Sequence, residues 1–421
     1  MIKSHYNTHK ETIHNLFWRS LQIFGKQGII FIVFILCAKL LLPYEFGVYN
    51  YVLAMLFFLI MFCDFGVSTA TSKYVAEYSI TDKDKLKAVL FNAGLIIIIL
   101  TVIITVLTLV FGSTYLGDKY IYVLYSLPLI FLAPMTSLYD GIYRGLKKFK
   151  QSAIISILSG IISLGFIYFL INSYGLIGAL IAQDLFYLIL LIGLATGYRD
   201  FNFKLNKRVI SEIGSYSFTF GIATLGYYLF SRIDILILGH YGYINEIATY
   251  ELINKIFMII LIPFTILGQV IAPNFTRLFA KGEVKTLITK YKRYVSLLIW
   301  TSLVLIPILL FSIPLIIKIF FSGYYNQIFS AIFCIVLLAY SINFFNAPIN
   351  SGIIVATGYA KLMTWLNIYL GILNLILSIF LINIVGYVGV MYATLISLII
   401  GTIILQIRYY KKITSNEKKA K

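Results

Sequence analysis

The sequence predicts an all-α polytopic membrane protein of about twelve transmembrane helices, in two six-helix bundles related by pseudo-two-fold symmetry. Three observations predict it: pervasive hydrophobicity, basic residues confined to alternate loops, and motifs that recur in both halves. Of 421 residues, 60% are hydrophobic and 12% charged, and the mean hydropathy is +0.93. A soluble domain of this length has too little interior to hide so much apolar surface. At roughly 20 residues per span plus short turns, about twelve helices use up the chain. No segment is left for a separate soluble catalytic, nucleotide-binding or nucleic-acid-binding domain.

The apolar stretches run over 18–40, 46–68, 88–111, 119–140, 152–171 and 176–197 in the first half. A polar, basic linker over 198–212 follows, and the second half continues with 214–239, 247–273, 295–320, 327–349, 362–383 and 387–408. This divides the chain into an N-terminal bundle (1–197), the linker, and a C-terminal bundle (213–421). Each stretch must be helical, because backbone groups in lipid have to bond within their own segment. The polar N-terminus through Trp18 lacks the pattern of a cleaved signal, so the first stretch reads as a retained span.

Lys and Arg set the orientation. They fill alternate loops, with Lys83, Lys85 and Lys87 in one, Arg144, Lys147 and Lys148 in another, and Lys285, Lys290 and Lys292 in a third. Both termini share that basic side, whereas the intervening turns such as 172–175 and 383–386 carry no basic residue. The positive-inside rule therefore places both termini in the cytoplasm with an even number of spans; the plasma membrane is the expected location. The net charge of +18 is then read as affinity for anionic membrane lipids, with no nucleic-acid partner. The outer turns are too short to hold the catalytic groups of a membrane polymerase or ligase.

The two halves repeat. Asn172-Ser-Tyr-Gly175-Leu-Ile-Gly178 with Ala182 recurs as Asn383-Ile-Val-Gly386-Tyr-Val-Gly389 with Ala393. At the same offset Gly141-Ile142 and Lys150 match Gly352-Ile353 and Lys361; at a slightly different one Glu45 and Tyr49 match Glu246 and Tyr250. Repeats of this kind build alternating-access transporters with a site near the interface of the halves, or simply a larger bundle.

Several motifs carry a resemblance: Leu42-Pro-Tyr-Glu45-Phe-Gly47-Val-Tyr49, Asp64-Phe-Gly66 with Tyr74-Val-Ala-Glu77, Gly141-Ile-Tyr-Arg144-Gly145, and Arg232-Ile-Asp234 with Gly239. In this order along twelve spans they are similar to the Wzx-type oligosaccharide flippases, of the superfamily that includes MATE exporters and lipid II flippases. The resemblance covers nearly the whole chain. It implies a flippase, not an enzyme, that moves a polyprenyl-diphosphate-linked oligosaccharide to the outer leaflet for surface polysaccharide assembly. Polymerase and other assembly proteins would be its protein partners. Two rival readings stay open: a MATE-like H⁺- or Na⁺-coupled exporter of small molecules, and a polymerase or ligase of lipid-linked glycans.

Polar groups inside the spans are the candidate site, since each costs at least a few kcal/mol in lipid without a partner, water or a function. Arg19, Gln22 and Lys26 follow three-then-four spacing and share one face, with Lys26 roughly 14 Å deep. Glu251 and Lys255 are four apart on the eighth span, with Asn254 beside them, while Arg232 and Asp234 point different ways. Ser217, Thr224, Tyr227, Ser231 and Asp234 form one polar stripe, and Asn343, Asn346 and Asn350 another. A diphosphate needs cations, and sugars need amides and hydroxyls. Lys26, Arg232, Lys255 and Arg19 are the candidates for the first, Gln22, Asn254, Tyr227, Asn343 and Asn346 for the second. The competing reading is that Lys255 satisfies Glu251 and the stripes glue helices together. Asp64, Asp184, Asp234 and Glu251 are the candidates for an ion-coupling or gating role, Asp64 also for a cap. Ser152, Ser156, Ser159 and Ser163 read as close helix packing.

No catalytic residue, metal site or cofactor is expected beyond a coupling ion, H⁺ or Na⁺. The chain has no Gly-x-x-x-x-Gly-Lys-Ser/Thr loop. Its histidines, His5, His9, His14 and His240, lack ligand spacing, and Cys37, Cys63 and Cys334 lie scattered in apolar stretches.

Overall fold

A computed structural model describes residues 2–419, with side chains from 17 to 415 apart from Ile23. His5, His9 and His14 thus lie outside the described side chains. The chain forms two compact units, Met1–Thr224 and Leu225–Lys421.

The first unit opens with α1 (Ile2–Leu40), which is helical well before the apolar stretch begins. Helix α2 (Pro43–Asp64) starts on a proline, whose missing N–H costs nothing in a first turn. Its Glu45 carboxylate accepts from the Leu42 N–H at 3.1 Å. The second span then breaks: Phe65 and Gly66 take φ of 34° and 83° before α3 (Val67–Thr81) resumes. Helix α4 (Lys83–Leu116) is capped by Asp82, which accepts from the N–H groups of Asp84 and Lys85 at 3.1 and 3.0 Å. Short α5 (Tyr120–Tyr125) and α6 (Leu129–Gly145) together make the fourth span. Helix α7 (Phe149–Gly197) contains 49 residues, roughly 70 Å of helix and more than twice the hydrocarbon thickness. It folds back at Gly175, whose φ of 54° and ψ of −129° are not helical.

The second unit continues from α8 (Lys207–His240), within which the division between the units falls, whereas the sequence suggests a boundary at the linker over 198–212. It comprises α9 (Ile244–Ala280), α10 (Val284–Phe320), α11 (Gln327–Ile349), α12 (Ala360–Val385) and α13 (Val388–Lys419). Helix α11 runs directly into a π-helical turn, Asn350–Ile354. Among the described residues, ten helices are long and apolar enough to cross a bilayer. Splitting α7 at Gly175 and adding the interrupted α5–α6 pair brings the crossings to the twelve expected. The protein is an all-helical, multi-pass membrane protein whose outer surface is apolar, with Ile99, Phe111, Phe166, Trp300 and Phe380 exposed.

The sequence repeat is a structural repeat. Gly175 and Gly386 both adopt a positive φ, 54° and 69°, at the same place in a tight turn between antiparallel spans. Three residues on, a Cβ on Gly178 would lie 1.9 Å from the Leu170 carbonyl, and one on Gly389 2.4 Å from that of Leu381. Only glycine lets the returning helix pass so close. The serines of α7 do likewise for α1: Ser152, Ser156, Ser159 and Ser163 are all buried, and α1 packs along α7.

Candidate functional site

A cavity of about 380 Å³ opens within the second unit, walled by α8, α9, α11 and α13. Hairpin geometry places its polar groups. Helices α8 and α9 run antiparallel from a tight turn at Gly242, so residues before the turn face residues after it. Arg232 thereby reaches Glu251, its Nη1 3.0 and 3.1 Å from the two carboxylate oxygens. The sequence associates Glu251 with Lys255, four residues along the same helix; the structure adds a partner from across the hairpin. Asp234 goes to a different residue of α9, accepting from the Tyr250 hydroxyl and from the Ile235 N–H at 2.9 Å. Arg232 and Asp234 therefore point apart, as their spacing requires.

Tyr227, Asn254 and Lys255 line the same cavity. From α11 come Asn343 and Asn346, and from its π-helical extension Asn350. Pro348 supplies no N–H to the helix, and the ladder widens into the π turn just beyond it. Asn346 donates to Thr402 Oγ1 at 2.7 Å. Yet its amide oxygen, and that of Asn350, are buried with no hydrogen-bond partner among the described residues. The ionisable lining is balanced, Arg232 and Lys255 against Asp234 and Glu251.

The candidates in the first unit separate into four places. Arg19 and Gln22 converge on Asp140, a residue absent from the sequence-based candidates. Gln22 Nε2 donates to Asp140 Oδ1 at 2.9 Å and Ser152 Oγ to the same oxygen at 3.2 Å. Arg19 lies 3.6 Å and Arg144 3.2 Å from the carboxylate. The signal that could have found Asp140 is its i,i+4 spacing to Arg144 at the end of the fourth span. Lys26, on the same helix as Arg19, stands apart from this group, its ammonium 5.9 Å from the centre of the Tyr187 ring. Asp64 acts as a cap: it accepts from the Ser68 N–H at 3.0 Å and from the Ser68 hydroxyl, satisfying the first turn of α3 across the Phe65–Gly66 break. Asp184 is buried, and its Oδ1 has no hydrogen-bond partner among the described residues.

Among the described residues no cluster of three or more His, Cys, Asp or Glu side chains could hold a metal ion. Cys37 and Cys63 are buried and Cys334 is exposed, all as free thiols. His240 is exposed at the end of α8, against the Tyr241 ring.

Known proteins resemble this arrangement. An uncharacterized membrane protein of Methanocaldococcus jannaschii is 25% identical over 399 residues, 88% of this chain and 91% of its own. Among solved structures, the lipid II flippase MurJ in an inward closed conformation superposes with a TM-score of 0.75 at 18% identity, covering 94% of this chain and 89% of that one. An inward-facing multidrug resistance MATE transporter of the MOP superfamily gives 0.71 at 16% identity, covering 96% and 100%. These likenesses establish the fold. The family is established by sequence: the model described as "Polysaccharide biosynthesis protein" matches residues 12–279, more than half of the chain. The protein thus belongs to the polysaccharide biosynthesis protein family, the Wzx-type flippases whose motifs it carries.

Proposed function

We propose that this protein moves a polyprenyl-diphosphate-linked oligosaccharide from the cytoplasmic to the outer leaflet of the plasma membrane by alternating access, with both termini cytoplasmic and no covalent chemistry. The observation that carries the reading is the second unit's cavity, where amide oxygens of Asn346 and Asn350, buried without a partner among the described residues, line the same space as Arg232 and Lys255. A cavity near 380 Å³ falls within the ~300–1,000 Å³ range of small-molecule sites. Sugar hydroxyls donate to amide oxygens, Tyr227 offers a ring face, and Lys255 and Arg232 offset phosphate charge. Lys26 is the further cation, held over Tyr187 within the first unit. An inside-negative potential drives an anionic headgroup outward, by roughly 2.3 kcal/mol per charge per 100 mV.

A second reading rests on the carboxylates. Asp234 and Glu251 offset both cations of the cavity, an arrangement that suits H⁺ or Na⁺ coupling of a small-molecule exporter, with Asp184 a further acid. Translocation of a lipid-diphosphate-linked oligosaccharide in proteoliposomes decides between them, with wild type compared against Lys26→Ala and Lys255→Ala. Flipping that collapses in both substituted proteins is the expected result. Flipping that survives both keeps the function and removes these lysines from the site. Exchange of an organic cation for H⁺ or Na⁺, with no flipping, replaces the flippase by the exporter.

A further inference from the structure

A second concave surface lies on α10, away from the polar cavity. It is a groove of about 340 Å³ bounded by Tyr291, Lys292, Val295, Ser296, Ile299, Trp300 and Leu303. Its two ends differ chemically. At one end the Lys292 ammonium lies 5.7 Å from the centre of the Tyr410 ring of α13. Tyr291 anchors the same end through its hydroxyl, which donates to Gln406. One turn deeper comes the Ser296 hydroxyl. Beyond it the groove is wholly apolar, with Trp300 67% and Leu303 51% exposed.

The dimensions match one lipid. Lys292 and Leu303 are separated along the helix by roughly 16 Å, at 1.5 Å per residue. Half of a ~30 Å hydrocarbon core is about 15 Å. A cation at the headgroup level, a hydroxyl at the depth of the glycerol esters and one leaflet of apolar wall follow in order. We infer that this groove is a binding site for an anionic phospholipid of the leaflet on the basic side, with its phosphate on Lys292 and an acyl chain against Ile299, Trp300 and Leu303. One ammonium complements a monoanionic phosphodiester. The inference does not depend on the transported substrate, because the groove shares no lining residue with the cavity that holds the asparagines.

The test uses the fluorescence of Trp300. The chain has three tryptophans, so Trp18→Phe with Trp365→Phe leaves Trp300 as the single reporter in the full-length protein. This protein is reconstituted in phosphatidylcholine vesicles containing increasing fractions of brominated phosphatidylglycerol or brominated phosphatidylcholine. Phosphatidylglycerol is expected to reach half-maximal quenching at about a fivefold lower mole fraction, the effect of one basic residue at a membrane surface. Lys292→Gln should abolish the difference and Lys292→Arg should keep it. Equal quenching by the two lipids in the unsubstituted site overturns the proposal, as does a preference that persists in Lys292→Gln. Release of quenching by an equal fraction of a polyprenyl diphosphate also overturns it, by giving the groove to the transported lipid.

Discussion

Asp140 in the first unit and Glu251 in the second are both carboxylates paired with arginine, yet they sit in opposite surroundings. Asp140 accepts from Gln22 and Ser152 and faces Arg19 and Arg144, so groups from α1, α6 and α7 all end on it. Its side chain is 26% exposed. Glu251 is only 7% exposed, and it lies on the wall of a cavity with its two oxygens on Arg232. The first carboxylate ties three helices together at a crowded junction. The second holds a cation in place beside open space. A polar group at a packed junction contributes mainly to folding; one that lines a cavity contributes to what the cavity can hold.

The largest effect should follow Glu251→Ala. It leaves the Arg232 guanidinium without its carboxylate in a low-dielectric wall, at a cost of about 2–3 kcal/mol. Thermal unfolding in detergent should show a clear fall in Tm, and proteoliposome transport should be lost. A variant as stable as wild type would mean that Arg232 finds another partner and that the contrast with Asp140 is false.

Asp140→Ala should come next. The ties to Arg19 and Arg144 are partly solvated, and such pairs are each worth only about 0–1 kcal/mol. The Gln22 and Ser152 bonds add about 1 kcal/mol apiece. These terms add to about 2–4 kcal/mol, and because the freed partners can reach water at this 26%-exposed site the loss should fall at the lower end, about 2 kcal/mol and no more than for Glu251→Ala, with transport of the folded protein reduced less than its stability. Coupling energies from a double-mutant cycle of Asp140→Ala with Gln22→Ala should exceed 0.5 kcal/mol. Additive effects would show that the junction is not one network.

The same comparison explains what the sequence could reveal. Spacing along one helix is visible in sequence, so the Asn343–Asn346–Asn350 face and the glycine turns at Gly175 and Gly386 were legible, and in the structure the three asparagines line one cavity and both glycines adopt a positive φ. The hairpin pairing of Arg232 with Glu251 was not, because a helical repeat relates residues on one helix and says nothing about register across a turn. Asp140 was hidden for a stronger version of that reason. Its partner Gln22 is 118 residues away, and only the packing of α1 and of α6 along α7 brings them together. Lys26 shows the limit of face-sharing: three-then-four spacing put it with Arg19 and Gln22, but a side chain two turns further along the helix meets a different neighbour, Tyr187.

The smallest effect on stability, and the sharpest on function, should come from Asn350→Ala. Its amide oxygen is buried without a partner among the described residues, so truncation removes an acceptor that forms no bond within the described fold and relieves a desolvation cost. Tm should stay within about 0.5 kcal/mol of wild type in free-energy terms, as for a substitution away from any structural feature. If the oxygen receives a hydroxyl of the transported sugar, one neutral hydrogen bond of about 0.5–1.5 kcal/mol is lost, and the KM for flipping rises roughly two- to tenfold. Asn346→Ala is the control within the same wall. It also removes the bond to Thr402, so it should lower both stability and transport. A protein in which Asn350→Ala unfolds like Asn346→Ala would place Asn350 among the groups that hold helices together, as Asp140 does, and remove it as an acceptor for the transported sugar.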